Sequence, residues 1–108
     1  MYRNTCSYSV YYDIAEITRH MLSHAQASQW DRVIELAPDY HHAVEKLHSI
    51  GALSYDELKE RHGLLTQILD NDAAIRHLAS PELERLNELI SGLKRQRLVL
   101  QAYYTPQS

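Results

Sequence analysis

At 108 residues the chain has the length of one domain, and a chain of this size buries roughly two-thirds of its unfolded surface. Its apolar fraction of 44% and charged fraction of 23% are ordinary for a globular protein, and the net charge of −3 argues against general binding to nucleic acid. The lone Cys6 excludes an internal disulfide and fits a reducing compartment; no stretch approaches the roughly 18 apolar residues of a membrane span, and Met1 to Ser9 lack an apolar run of signal length.

The first helix is expected from about Ser7 to Ala27, with Asn4, Thr5 or Ser7 as its cap. Val10, Ile14, Ile17, Met21 and His24 or Ala25 fall on one face. Tyr8, Tyr11 and Tyr12 cannot all turn to the same core, so at least one is expected at the surface.

A second helix is expected over residues 29–50, with Ser28 as N-cap and Asp31 completing a weak capping box. The short connection makes the first two helices antiparallel neighbours. Trp30, Val33, Ala37, Tyr40, Val44 and Leu47 form the clearest apolar stripe in the chain. Pro38 interrupts the helix and predicts a kink, but the stripe stays in phase across it. Gly51 is the expected C-cap.

The third helix, 55–79, opens on a full capping box, Ser54 with Glu57, flanked by Leu53 and Leu58 at the hydrophobic-staple positions. Leu58, Leu65, Ile68, Leu69, Ile75 and Leu78 supply its stripe. Ser80-Pro81 then predicts a fourth helix over 81–103, with Leu83, Leu86, Ile90, Leu93, Arg97 and Leu100 on one face. Arg97 on that stripe suggests a less buried far end. Gly63 and Gly92 inside helices read as close contacts or simple tolerance, and Gly92 also as a soft point in the last helix. The fold class expected is all-α, a single domain forming a small antiparallel bundle of four helices, with the fourth shorter or looser.

Seven histidines invite a metal site, but zinc needs three or four ligands converging at roughly 2.0–2.3 Å. His20 with His24, and His41 with Glu45, share a helix face in pairs only; solvated or packed histidines are the plainer reading. No H-E-x-x-H, nucleophile elbow, phosphate loop or dinucleotide fingerprint occurs, so no enzyme, cofactor or metal is expected. Lys94, Arg95 and Arg97 either complement the macrodipole of the last helix or meet an acidic protein partner.

Gln29-Trp30-Asp31, the run from Tyr40 to Leu47, Leu69-Asp70-Asn71-Asp72, the stretch from Leu83 to Ile90 and the late Ala102-Tyr103 together resemble the FliT family of flagellar export chaperones. The resemblance spans about residues 8 to 103 and lies in order and spacing, not in one motif. It implies a small helical chaperone of the bacterial cytosol. Such a protein would hold the C-terminal segment of the filament-cap protein FliD and prevent its premature assembly. Further partners implied are the export ATPase complex and the flagellar master regulator FlhDC, with a homodimer left open. The resemblance also implies a last helix that masks the binding surface until a client displaces it. Two departures bear on this: the chain ends soon after Tyr103, so a masking element is expected to be shorter, and Pro38 interrupts a groove helix.

Tyr40, Val44 and Leu47 with Leu58, Leu65 and Leu69 are the expected client groove, and each is equally readable as plain core. Lys94, Arg95 and Arg97 are the expected contact for a regulatory partner. The alternative is a regulatory adaptor that binds a transcription activator without chaperone activity.

Overall fold

The apolar rhythm becomes four helices, as expected for an all-α bundle. The computed structural model describes residues 2–50, 55–82 and 86–104, and the side chains of 9–49, 56–57, 59–82 and 86–104 among them. Helix α1 is Tyr2–Gln26, α2 is Trp30–Ile50, α3 is Tyr55–Ala79, a 3₁₀ turn is Ser80–Glu82, and α4 is Asn87–Tyr104. No strand occurs among the described residues.

α1 packs against both α2 and α3, and α4 packs against the same two helices. Among the described residues, α2 and α3 do not approach within 8 Å at their Cα atoms, nor do α1 and α4. The cross-section is therefore a square with α2 and α3 on one diagonal. Consecutive helices alternate in direction, as an antiparallel bundle requires. Thr18 meets Asn71 and Tyr11 lies near Arg61, so α1 and α3 run side by side in the same sense. His62 stacks on Tyr104 while Arg97 lies near Asp72, so α4 runs against α3 and parallel to α2. These parallel neighbours arise because α2 and α3, consecutive in the chain, occupy opposite corners of the square.

One apolar cluster joins all four helices, with Ile14, Met21, Val33, Leu47, Ile68, Ile75, Leu93 and Leu100 almost wholly buried. The stripes expected on α1 and α2 are the buried faces, with Ile17 and Ala37 at the margin. Tyr11 is fully buried and Tyr12 is exposed, which resolves part of the tyrosine cluster.

The chain departs from the sequence expectations at several places. α1 begins at Tyr2, not near Ser7. Nothing between Tyr2 and Ser7 is a helix breaker, so the polar residues there are taken into the helix instead of capping it. α2, by contrast, passes through Pro38 as one helix, in keeping with the in-phase stripe. Ser80-Pro81 does not open the last helix: it forms the 3₁₀ turn that tightens the end of α3, and α4 starts at Asn87. On α3 the buried face is Arg61, Leu65, Ile68, Asp72, Ile75 and Ala79, in steps of four and three, and Leu78 lies outside it and is exposed. The far end of α4 is not less buried, since Gln96 and Leu100 are both inside. Gly51, Leu53, Ser54 and the Leu58 side chain lie outside the described residues. A Cβ added at Gly63 or Gly92 would meet nothing within 4 Å, so close helix approach does not explain either glycine.

Ser28 is not the N-cap of α2. It has a φ of 60° and terminates α1. The Gln29 N–H donates to the His24 carbonyl at 2.8 Å and the Ser28 N–H to the Ala25 carbonyl at 3.0 Å, the two bonds of a Schellman motif. Gln29 takes the N-cap position instead, its carbonyl accepting from Arg32 and Val33. Its side chain also reaches back to His24 Nδ1 at 2.8 Å. A left-handed serine carries a steric cost that glycine lacks. Ser28→Gly is expected to stabilise the fold by about 0.5–1 kcal/mol. The check is a higher urea midpoint with an unchanged slope.

Candidate functional site

Five of the six residues singled out for a groove come together, but in the interior; the sixth, Leu58, has its side chain outside the described residues. Tyr40, Val44 and Leu47 of α2 and Leu65 of α3 are at most 2% exposed, and Leu69 is half-buried against the same cluster. Their burial follows from the bundle's geometry. α2 and α3 are held apart by α1 on one side and α4 on the other. The space between α2 and α3 opposite α1 is a channel that α4 fills with Leu86, Leu89, Ile90, Leu93 and Leu100.

A polar network runs through this apolar contact. Asp72 of α3 is fully buried. It accepts a hydrogen bond from the Tyr40 hydroxyl at 2.6 Å and another from Arg76 Nε at 2.7 Å. Burial pushes its carboxyl above the ordinary Asp range, against the opposing hydrogen bonds of Arg76 and Tyr40 and the charges of Arg76 and Arg97. Burial, and then the Asp72 charge, push the Tyr40 hydroxyl well above its usual range. Two further links join other helix pairs: Asn71 Nδ2 donates to Thr18 Oγ1 at 3.2 Å, and Gln96 Nε2 lies 3.2 Å from His41 Nδ1. Sequence reasoning passed over Asp72 and Arg61 because a buried stripe was sought among apolar residues. The available signal was their exact phase with Leu65, Ile68 and Ile75.

Tyr11 is the counter-example to Tyr40. It is equally buried, but among the described residues its hydroxyl has no hydrogen-bond partner. Burial, followed by the nearby Tyr103, pushes that hydroxyl up to about 12.

The basic cluster of α4 divides. Lys94 and Arg95 stay exposed, whereas Arg97 turns inward, its charge felt by Asp72 and its Nε buried without a hydrogen-bond partner. Two surface depressions remain. One, of about 490 Å³, lies between α2 and α4 beside Pro38 and Gly92. The other, of about 410 Å³, lies between α1 and α2 and is flanked by Asp13, Glu16, His20, Asp39, His42 and Lys46. Among the described residues no group of three His, Cys, Asp or Glu could hold a metal ion, and no helix is long and apolar enough to cross a membrane.

Fold and site together define a small four-helix bundle in which the last helix lies as a cover across a channel built by the other three. The family model for flagellar protein FliT matches residues 8–105. Flagellar protein FliT of Photorhabdus laumondii is 30% identical over 98 residues, covering 88% of this chain and 78% of that protein. The FliT proteins of Serratia proteamaculans and Yersinia enterocolitica are 29% and 32% identical over 100 and 101 residues, covering 80% and 82% of their own lengths. The chain belongs to the FliT family of flagellar proteins.

The two tyrosines give opposite expectations. Tyr40→Phe leaves the buried Asp72 short of a donor and is expected to cost about 1–3 kcal/mol, whereas Tyr11→Phe removes an unpartnered hydroxyl and is expected to be neutral or stabilising. Urea denaturation of the two variants side by side checks this contrast.

A carboxyl raised in the folded state adds stability that is fully present below its unfolded pKa and is lost as pH rises through its folded pKa. Wild type is therefore expected to gain stability over Asp72→Asn as pH falls from neutrality toward the ordinary Asp range. Unfolding free energies of both proteins measured across that window give the difference directly.

Proposed function

We propose that this protein is a flagellar type III export chaperone of the cytosol that binds the C-terminal segment of the filament-cap protein FliD and prevents its premature assembly. The client segment occupies the channel between α2 and α3. Tyr40, Val44, Leu47, Leu65 and Leu69 line it once α4 has moved aside. One observation supports this proposal: among the described residues α4 is wedged between two helices whose backbones do not approach each other and which the Tyr40–Asp72 hydrogen bond links, so lifting it uncovers apolar surface without separating any other packed helix pair. Membership of a flagellar family supplies the cellular context.

The energetics set the client's chemistry. Each large aliphatic side chain that α4 buries is worth about 1.5–3 kcal/mol when taken fully from water. A competitor needs an apolar stripe of similar size, which an amphipathic segment that folds on binding provides through i, i+3 and i+4 anchors. Its ordering cost keeps affinity moderate, which suits release to an export machine. The export ATPase complex and the master regulator FlhDC are further partners under this proposal. An acidic partner approaching α4 would meet the exposed Lys94 and Arg95.

Calorimetric titration with a peptide from the C-terminal end of the same organism's FliD is the test. Micromolar or tighter binding with a negative heat-capacity change is expected. Leu93→Ala loosens the cover while leaving the channel walls intact, so it is expected to bind the peptide about tenfold tighter. Absence of binding by the folded wild-type protein, or an affinity unchanged in a folded Leu93→Ala variant, overturns the proposal.

A further inference from the structure

The cleft between α2 and α4 lies on the outside of the bundle and exists only while α4 is docked, since both of its walls come from that pair. Its middle is apolar: Ile34 is 45% exposed, and Ala37, Pro38, Leu89 and Leu93 line it with Gly92. From Ile34 to His41 the cleft runs about 10 Å along α2, roughly two helical turns.

The two ends of the cleft differ in sign. At the Ile34 end stands Glu88, and Pro38 has no N–H to offer the Ile34 carbonyl four residues earlier, so this end presents acceptors. At the His41 end stands Arg95, a donor and a positive charge. Glu88 and Arg95 are exposed and take part in no ion pair among the described residues. α2 and α4 run parallel, so their macrodipoles point the same way along the cleft. A third helix laid between them is favoured in the opposite sense.

We infer that the α2/α4 cleft docks a short amphipathic helix of a protein partner, antiparallel to both walls, with acidic residues in its first turn and Lys or Arg in its last. The acidic first turn meets Arg95. The basic last turn meets Glu88 and the Ile34 carbonyl. Two aliphatic anchors at i and i+4 fill the apolar floor over Gly92, where an added Cβ would stand in open space. This charge order is also the one a helix favours for its own stability, so the partner loses nothing by carrying it. The inference goes beyond the proposed client channel and does not depend on it.

The test uses the full chain and a pair of synthetic Ala-rich helical peptides of about 16 residues. Both carry two Leu at i and i+4. One has Glu in its first turn and Lys in its last, and the other has these charges exchanged. Amide chemical shifts of the labelled protein are followed during titration. The acid-first peptide is expected to shift Ile34, Ala37, His41, Gly92 and Gln96, and to bind about fivefold tighter than its reversed counterpart. Glu88→Lys combined with Arg95→Glu changes only exposed side chains and is expected to invert that preference. Gly92→Leu, which fills the floor, is expected to weaken both peptides, and Ile34→Asn to do the same from the opposite wall. Absence of shifts, shifts centred on Leu65 and Ile68 or on the α1/α2 depression, equal binding of the two peptides, or an uninverted preference in the double variant each overturns the inference.

Discussion

Among the described residues, a hydrogen bond from Tyr40 to Asp72 joins two helices whose backbones stand apart. α2 and α3 lie on a diagonal of the bundle, too far apart for their backbones to pack. The long reach of tyrosine to a carboxylate, at 2.6 Å, spans that gap. Arg76, one turn along α3, satisfies the other carboxylate oxygen and offsets part of the cost of burying the charge. Removing one member strands the others in an apolar setting, so the three groups act as one unit. The bond also selects a register: sliding α2 by one turn would place Ala37 or Val44 opposite Asp72, and neither supplies a hydrogen-bond donor. With the diagonal fixed, the width of the channel that α4 enters is fixed too.

How much of this was legible follows from where the polar groups sit. On α1 and α2 the buried faces are apolar almost throughout, and the three-and-four spacing located them directly. On α3 the same face contains Arg61 and Asp72, so a search for apolar residues shifted phase near the end of the helix and took in Leu78. Arg97 was noticed as a break in the stripe of α4 but read as a sign of exposure. It lies instead close enough to the buried Asp72 for its charge to oppose the upward push on that carboxyl. The start of α4 and the role of Ser28 were missed for a related reason. Cap residues are recognised by type, but a serine can close one helix in the left-handed conformation as well as open the next. The groove residues were identified as a group that comes together. Their concealment beneath α4 depends on helix arrangement, which short-range spacing does not encode.

α4 has three distinct faces within 18 residues. Leu86, Leu93 and Leu100 point into the channel, Arg97 turns toward the buried carboxylate, and Glu88 with Arg95 lines the outer cleft. Its inner face is strongly apolar and its outer features are polar or charged. A displacement of the helix would therefore change two surfaces at once, uncovering the channel and dismantling the cleft.

The 3₁₀ turn at Ser80–Glu82 and the few residues after it are the sole covalent link between α4 and the three helices it covers. A helix held on so short a leash returns to its channel as an intramolecular ligand, with an effective concentration in the millimolar range or above. That value is set by the tether and is the same whether a cell holds ten copies of the protein or ten thousand. Any molecule that needs the α2/α3 surface meets this built-in competitor at constant strength. Under the proposed function, occupancy of the channel would therefore follow the abundance and affinity of the incoming molecule alone.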